Sequence, residues 1–370
     1  MKWTISGSSS LDATLAFLAN GREIFAQENL ENGSYRFSRA TTWQAGRHTL
    51  GNVRQTEPLK ALFFPAREFI GKWNSPSARE PLAERIVFGV KNCDLSSLRI
   101  FDHVFLNGVC PDPYYAEARE KTILVSTDCS TQLDVCFCTA VGEQPYAREG
   151  FDINIAPTPS GHVIEAGSAR GEQLLKSAEQ HLEPASPELL QTLETQRQRR
   201  YTELVEHSRK HGLEPGADFQ KAIETSFDSG LWEDFAADCV ECGACNFICC
   251  TCHCFLLADG MDADGVPART KLWDACLFSG FAATAGGGNP RPLRAQRLRN
   301  RFDKKFSYFP QVLDRYACDG CGRCTEACIA DIDIRDVLRR AVDECDLIHA
   351  QSGDLHAHSG DHRANRGRNA

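Results

Sequence analysis

The sequence lacks any run approaching the roughly 18 apolar residues that a membrane helix needs. Its first stretch, Met1 to Ser10, has no apolar core of the kind that marks a secretory signal. Basic charge is not in excess: 41 Lys and Arg stand against 50 Asp and Glu, a net charge of -9, which argues against nucleic acid as a partner. No Gly-x-Gly-x-x-Gly turn follows a strand-like run, so the chain has no dinucleotide cradle of its own. A Ser/His/Asp set, a paired-carboxylate signature and a zinc-hydrolase motif are also missing. These absences leave a chain expected in the cytoplasm, without a membrane partner and without hydrolytic machinery.

Cysteine is abundant instead, with eighteen in 370 residues. In a short secreted chain they would be read as disulfides. In a long chain placed in a reducing compartment, paired cysteine spacings more often bind metal.

The patterning predicts an α+β protein. Leu11 to Leu18 reads as a helix stopped by Gly21, and Arg22–Ala26 and Ser34–Ser38 as a hairpin around Asn32-Gly33. Ile86–Val90 and Thr122–Val125 are short apolar runs with a helical pattern from Asp94 to Phe105 between them, the strand-helix-strand order of an α/β domain. We divide the chain into an N-terminal α/β domain (1–165), a helical connector of two or three helices (166–230), a cysteine-dense helical module (231–346) and a disordered tail (347–370) that includes His349, His356, His358 and His362.

Two segments carry the chemistry. Cys239-Val240-Glu241-Cys242-Gly243-Ala244-Cys245-Asn246-Phe247-Ile248-Cys249 and Cys318-Asp319-Gly320-Cys321-Gly322-Arg323-Cys324-Thr325-Glu326-Ala327-Cys328 both have C-x2-C-x2-C-x3-C spacing, that of bacterial proteins with two 4Fe-4S clusters. Three thiolates of such a run wrap one cubane and the fourth reaches the other. The expected sets are therefore Cys239, Cys242, Cys245 and Cys328 for one cluster, and Cys318, Cys321, Cys324 and Cys249 for the second. Zinc is the competing reading, but it takes its cysteines as separated pairs. The residue after the fourth cysteine is Cys250 in one run and Ile329 in the other, where such runs usually place proline. Sixty-nine positions separate Cys249 from Cys318, so a large insertion splits the ferredoxin-like module.

The other cysteines form two candidate sets. Cys93, Cys129, Cys136 and Cys138 supply four thiolates, enough for a third cluster, with buried structural cysteine as the alternative. Cys252, Cys254 and Cys276 compete with them but lack an evident fourth ligand unless Cys250, Cys93 or a non-cysteine residue joins. Cys110 and Cys345 read as core residues. The basic run Arg291, Arg294, Arg297, Arg299, Arg301, Lys304, Lys305 is either a solvated face or a counter-charge to anionic clusters.

Several segments together resemble one family: Phe63-Phe64-Pro65, Phe88 to Leu95, Asp112-Pro113-Tyr114-Tyr115, Cys136-Phe137-Cys138, Cys249 to Phe255, Leu272 to Cys276 and Arg299 to Phe306. Over residues 60 to 345 the chain resembles the beta subunit of sulfhydrogenases, the NAD(P)-linked nickel–iron hydrogenases, and the related A subunit of anaerobic sulfite reductase. The resemblance implies an electron relay. Its partners would be an FAD and 2Fe-2S subunit handling NAD(P)H, and either the small and large hydrogenase subunits or a siroheme subunit. A chain that itself reduces a sulfur substrate at an extra cluster is the remaining alternative.

Overall fold

The structure, a computed structural model, describes residues 2–73 and 80–359. Its strands are β1 (Lys2–Ile5), β2 (Glu23–Asn29), β3 (Tyr35–Ala40), β4 (His48–Thr49), β5 (Arg67–Lys72), β6 (Arg85–Val90), β7 (Thr122–Ser126), β8 (Ile153–Thr158), β9 (Gly161–Ala166), β10 (Glu183–Pro184), β11 (Phe255–Met261) and β12 (Pro267–Trp273). Among the described residues, nine of them form one sheet in the order β10-β1-β9-β8-β7-β6-β2-β3, with β4 also on β2.

Its centre, β2-β6-β7-β8, is parallel. A parallel strand covered on both faces must be apolar throughout, and every residue of β6 and β7 is buried. Ile86, Phe88, Ile123 and Val125 face the helix Ser8–Ala19 through Leu15 and Leu18. Val87, Val90 and Leu124 face the helix Asn92–Phe105, whose Leu95, Leu98, Phe101 and Phe105 recur at helical spacing. The expected hairpin is β2-β3, paired from Ile24 with Ala40 to Asn29 with Tyr35.

The connector does not stand apart from this sheet. Leu175, Ala178 and Leu182 join the sheet's core, and β10 extends its edge. The 24-residue helix Pro187–Lys210 lays Leu193 on Ala156 and Val163 and inserts Arg197 between Asp128 (2.7 Å) and Glu165 (3.0 Å).

The helical C-terminal region has its own core, with Phe219, Trp232, Phe302, Phe306, Val337 and Leu338, into which Phe137 and Val141 of the N-terminal half also pack. The insertion contributes β11 and β12, which pair with each other, and β12 pairs in turn with β5, about 200 residues earlier in the chain. The final helix, Ile334–Ser359, continues into the stretch expected to be a tail. Residues 360–370, including His362, lie outside the described residues.

Candidate functional site: cysteine-lined cavities

The two four-cysteine runs share a local geometry. In each, the residue before the second cysteine and the residue after it are left-handed: Glu241 (φ 58°) and Gly243 (72°), then Gly320 (62°) and Gly322 (70°). Glycine takes this conformation without a steric cost, and the non-glycine Glu241 is held by an ion pair to Arg297. Each run then enters a one-turn helix, Ala244–Phe247 or Arg323–Glu326. Successive turns of this kind aim backbone N–H groups inward, a cradle for an anion.

The fourth cysteines cross over. Cys328 lines one cavity with Cys239, Cys242 and Cys245. Cys249 approaches the thiols of Cys318, Cys321 and Cys324, each close enough to oppose the ionisation of its neighbours. Burial pushes Cys324 up to about 12 and Cys318 well above the usual thiol range. Cys321 and Cys249 go the other way: hydrogen bonding with Cys250 pulls Cys321 down to about 6 and Cys249 well below the usual thiol range. Cys250, in the position usually held by proline, turns its buried thiol towards Asp319 (3.5 Å) and Cys321 (3.7 Å).

Cys93, Cys129, Cys136 and Cys138 line a second cavity, with Arg54, Leu204 and Cys321 also on its wall. The sheet explains why residues so distant in sequence meet. Cys93 and Cys129 follow the adjacent parallel strands β6 and β7 at their carboxyl ends, the edge where α/β sheets place their sites. The Cys136–Cys138 loop is pinned there by the dicluster region: the Phe137 N–H donates to the Gly320 carbonyl at 2.8 Å. Burial raises all four thiols, Cys136 to about 11. Burial pulls the neighbouring Lys91 ammonium down to about 8, against the opposing pull of Cys129, Asp128 and Cys93.

Cys252, Cys254 and Cys276 line a third cavity, separate from the second. Cys93 belongs to the other cavity and Cys250 turns elsewhere, so neither joins this set. Asp94 has no free oxygen for a metal, since Arg323, Gln55 and the Leu59 N–H occupy it.

Sulfur spacing separates the two metal readings. A tetrahedral zinc, with Zn–S of about 2.3 Å, holds its sulfurs about 3.8 Å apart. Among the described residues, the group of three metal-binding side chains with all ligand atoms within 4.8 Å is Asp134, His207 and His211, with no cysteine in it. Among the described residues, no three cysteine sulfurs lie that close together.

One face of the basic run is buried, while Arg294 stays exposed. Arg297, Arg301 and Lys305, four residues apart, are buried. Arg301 lies 3.3 Å from the Cys252 sulfur and Lys305 3.3 Å from the Cys249 sulfur. Burial works to lower the pKa of Lys305, but Cys249 and Cys252 outweigh it and hold the ammonium above the usual lysine range. Cys345 is buried as expected, whereas Cys110 is exposed, in a bend whose neighbour Val109 is also fully exposed, and so is not a core residue.

A crossed pair of four-cysteine runs defines a class, and the comparison with known families agrees with it: residues 238–332 match the 4Fe-4S dicluster domain. The chain is an iron–sulfur protein of α+β architecture. It is also homologous along most of its length to a hydrogenase subunit. It is 29% identical over 309 residues to sulfhydrogenase 2 subunit beta of Pyrococcus furiosus, an alignment covering 83% of this chain and 89% of that one. No helix among the described residues is long and apolar enough to cross a membrane.

Proposed function

We propose that this iron–sulfur electron-transfer chain is the relay subunit of a cytoplasmic, NAD(P)-linked nickel–iron hydrogenase. It would pass electrons between an FAD and 2Fe-2S subunit and the small and large hydrogenase subunits. Cys239, Cys242, Cys245 and Cys328 would hold one 4Fe-4S cluster, Cys318, Cys321, Cys324 and Cys249 a second, and Cys93, Cys129, Cys136 and Cys138 a third. The clusters supply one-electron transfer when bound. The chain's residues fix where they sit and the charge around them.

The observation that carries this reading is adjacency. Cys321 lines the cavity of the third set, and Cys324 lines that of the first, so one run of the module touches all three sets. Lys305, Arg301, Arg323, Arg54 and Lys91 place buried positive charge beside them, which favours the reduced state of an anionic cluster. Cys242 is exposed, and the exposed apolar side chains of Val240 and Ile329 flank the first set, which supports a partner-facing end there.

Purification without oxygen from the native host tests the proposal. The expected result is a complex that contains nickel and flavin, in which NAD(P)H reduces the clusters of this chain. Recovery with a siroheme subunit would replace the hydrogenase assignment with a sulfite reductase. Reduction of polysulfide by the isolated chain, at the rate of the complex, would end the relay reading.

A further inference from the structure

The insertion that splits the module does more than lengthen it. It brings Cys252, Cys254 and Cys276 to one wall, together with Asn246, Arg301 and Lys304. Each of the three sulfurs has a nitrogen donor near it. Asn246 Nδ2 is 3.1 Å from Cys276 and 3.8 Å from Cys252, Arg301 Nη1 is 3.3 Å from Cys252, and Lys304 Nζ is 3.6 Å from Cys254.

Arg301 supplies a second, independent observation. Its side chain is 4% exposed, and its Nη2 is buried without a hydrogen-bond partner. A buried guanidinium nitrogen left unpaired is costly. Arg301 lines both this cavity and that of the first set, so its guanidinium stands between the two and can meet an anion in either. The space amounts to about 310 Å³ with its open mouth included. The sulfurs are too far apart for a single tetrahedral zinc, by the spacing argument given above.

We infer that Cys252, Cys254 and Cys276 hold a fourth iron–sulfur cluster, bound by three thiolates rather than four. One iron of this cluster then has no cysteine ligand, unlike those of the other three sites. The inference rests on the reading of the chain as an iron–sulfur relay and adds a site to it. Its position is a branch point: Cys252 lies beside Cys249 of the second set, and Cys276 beside Cys245 of the first.

An iron without a thiolate is the one that oxidation removes. Ferricyanide takes one electron from a 4Fe-4S(2+) cluster, one ferrous ion leaves, and a 3Fe-4S(1+) cluster remains in the three-cysteine site. The full chain, purified without oxygen, is expected to contain about sixteen irons, four for each of four sites. Addition of ferricyanide is expected to release about one iron per chain and to produce the near-isotropic EPR signal of a three-iron cluster. Cys276→Ala is expected to lose about four irons and that signal, and to keep the EPR spectra of the other three clusters. The parent chain alone decides the matter if the variant does not fold. About twelve irons and no three-iron signal would overturn the fourth site and leave the relay reading intact. A chain without iron would instead remove the reading on which it rests. Stoichiometric zinc displaced by Cys276→Ala would also overturn it.

Discussion

Arg323 and Asp94 form an ion pair with no exposure to solvent, Nη2 to Oδ2 at 2.7 Å and Nη1 to Oδ1 at 3.1 Å. Arg323 stands between Cys321 and Cys324, and Asp94 follows Cys93. The pair therefore ties the second dicluster run to the carboxyl edge of the N-terminal sheet. Breaking a buried pair from one side leaves a charge uncompensated, at a cost of about 3–5 kcal/mol. Arg323→Met is expected to lower the unfolding midpoint strongly and to release iron from both neighbouring sets. Retention of the parent's iron content and midpoint would contradict this.

Lys305 donates to the Thr251 hydroxyl (2.7 Å) and the Ala317 carbonyl (2.8 Å) beside Cys249. Its removal takes a unit charge from a few ångströms off the second set. At an effective dielectric constant near 20, this is worth on the order of 100 mV. Lys305→Met is expected to lower the midpoint potential of the cluster at Cys249 by about that much, and that of a cluster at the adjoining Cys252 set as well, read by redox titration with EPR, and to leave those of the first and the Cys93–Cys138 sets within a small margin.

Gly320 combines φ of 62° with a close approach between the two halves. A Cβ there would lie 2.4 Å from the Cys138 Cα and 2.5 Å from its nitrogen. Gly320→Ala is expected to destabilise the chain by about 2 kcal/mol or more and to lower iron at the Cys136–Cys138 set. Gly216 has a similar φ of 87° and open space around it. Gly216→Ala is therefore the control for backbone strain alone, expected to keep its full iron complement.

Burial raises the Asp303 carboxyl to about 6. In the unfolded chain it ionises near 4, so the folded state pays for an unwelcome charge as pH rises. The cost is absent below pH 4, grows between pH 4 and 6, and is complete above 6, on the order of 2 kcal/mol. Asp303→Asn is expected to raise the unfolding midpoint at pH 8, with the gain shrinking as the buffer approaches pH 5. An equal gain at both pH values would contradict the assignment.

Spacing made the dicluster runs readable, because four thiolates at C-x2-C-x2-C-x3-C leave few alternatives. The parallel strands β6 and β7 were readable because burial on both faces demands continuous apolar runs, and the helix between them because Leu95, Leu98 and Phe101 keep its period. The small sheet of β5, β11 and β12 was not. Six of the seven residues of β11 are exposed, so it shows no alternation, and its register is set through β12 by a strand far away in the chain. The burial of Arg297, Arg301 and Lys305 was also hidden. A period of four in a basic run looks the same whether that face meets water or sulfur. Cys110 misled in the opposite way, since a lone cysteine carries no mark of its exposure.

Cys328 sits on the cavity wall of Cys239, Cys242 and Cys245, and Cys249 sits with the run that begins at Cys318. A nascent chain halted before residue 318 therefore displays four of the eight dicluster thiols, Cys239, Cys242, Cys245 and Cys249, and completes neither cubane. Loading of the two dicluster sets would therefore wait until Cys328 has been made, whereas the Cys93–Cys138 set has all its thiols long before. Premature termination anywhere upstream of Cys328 then yields a product with no complete dicluster, rather than one with half of it.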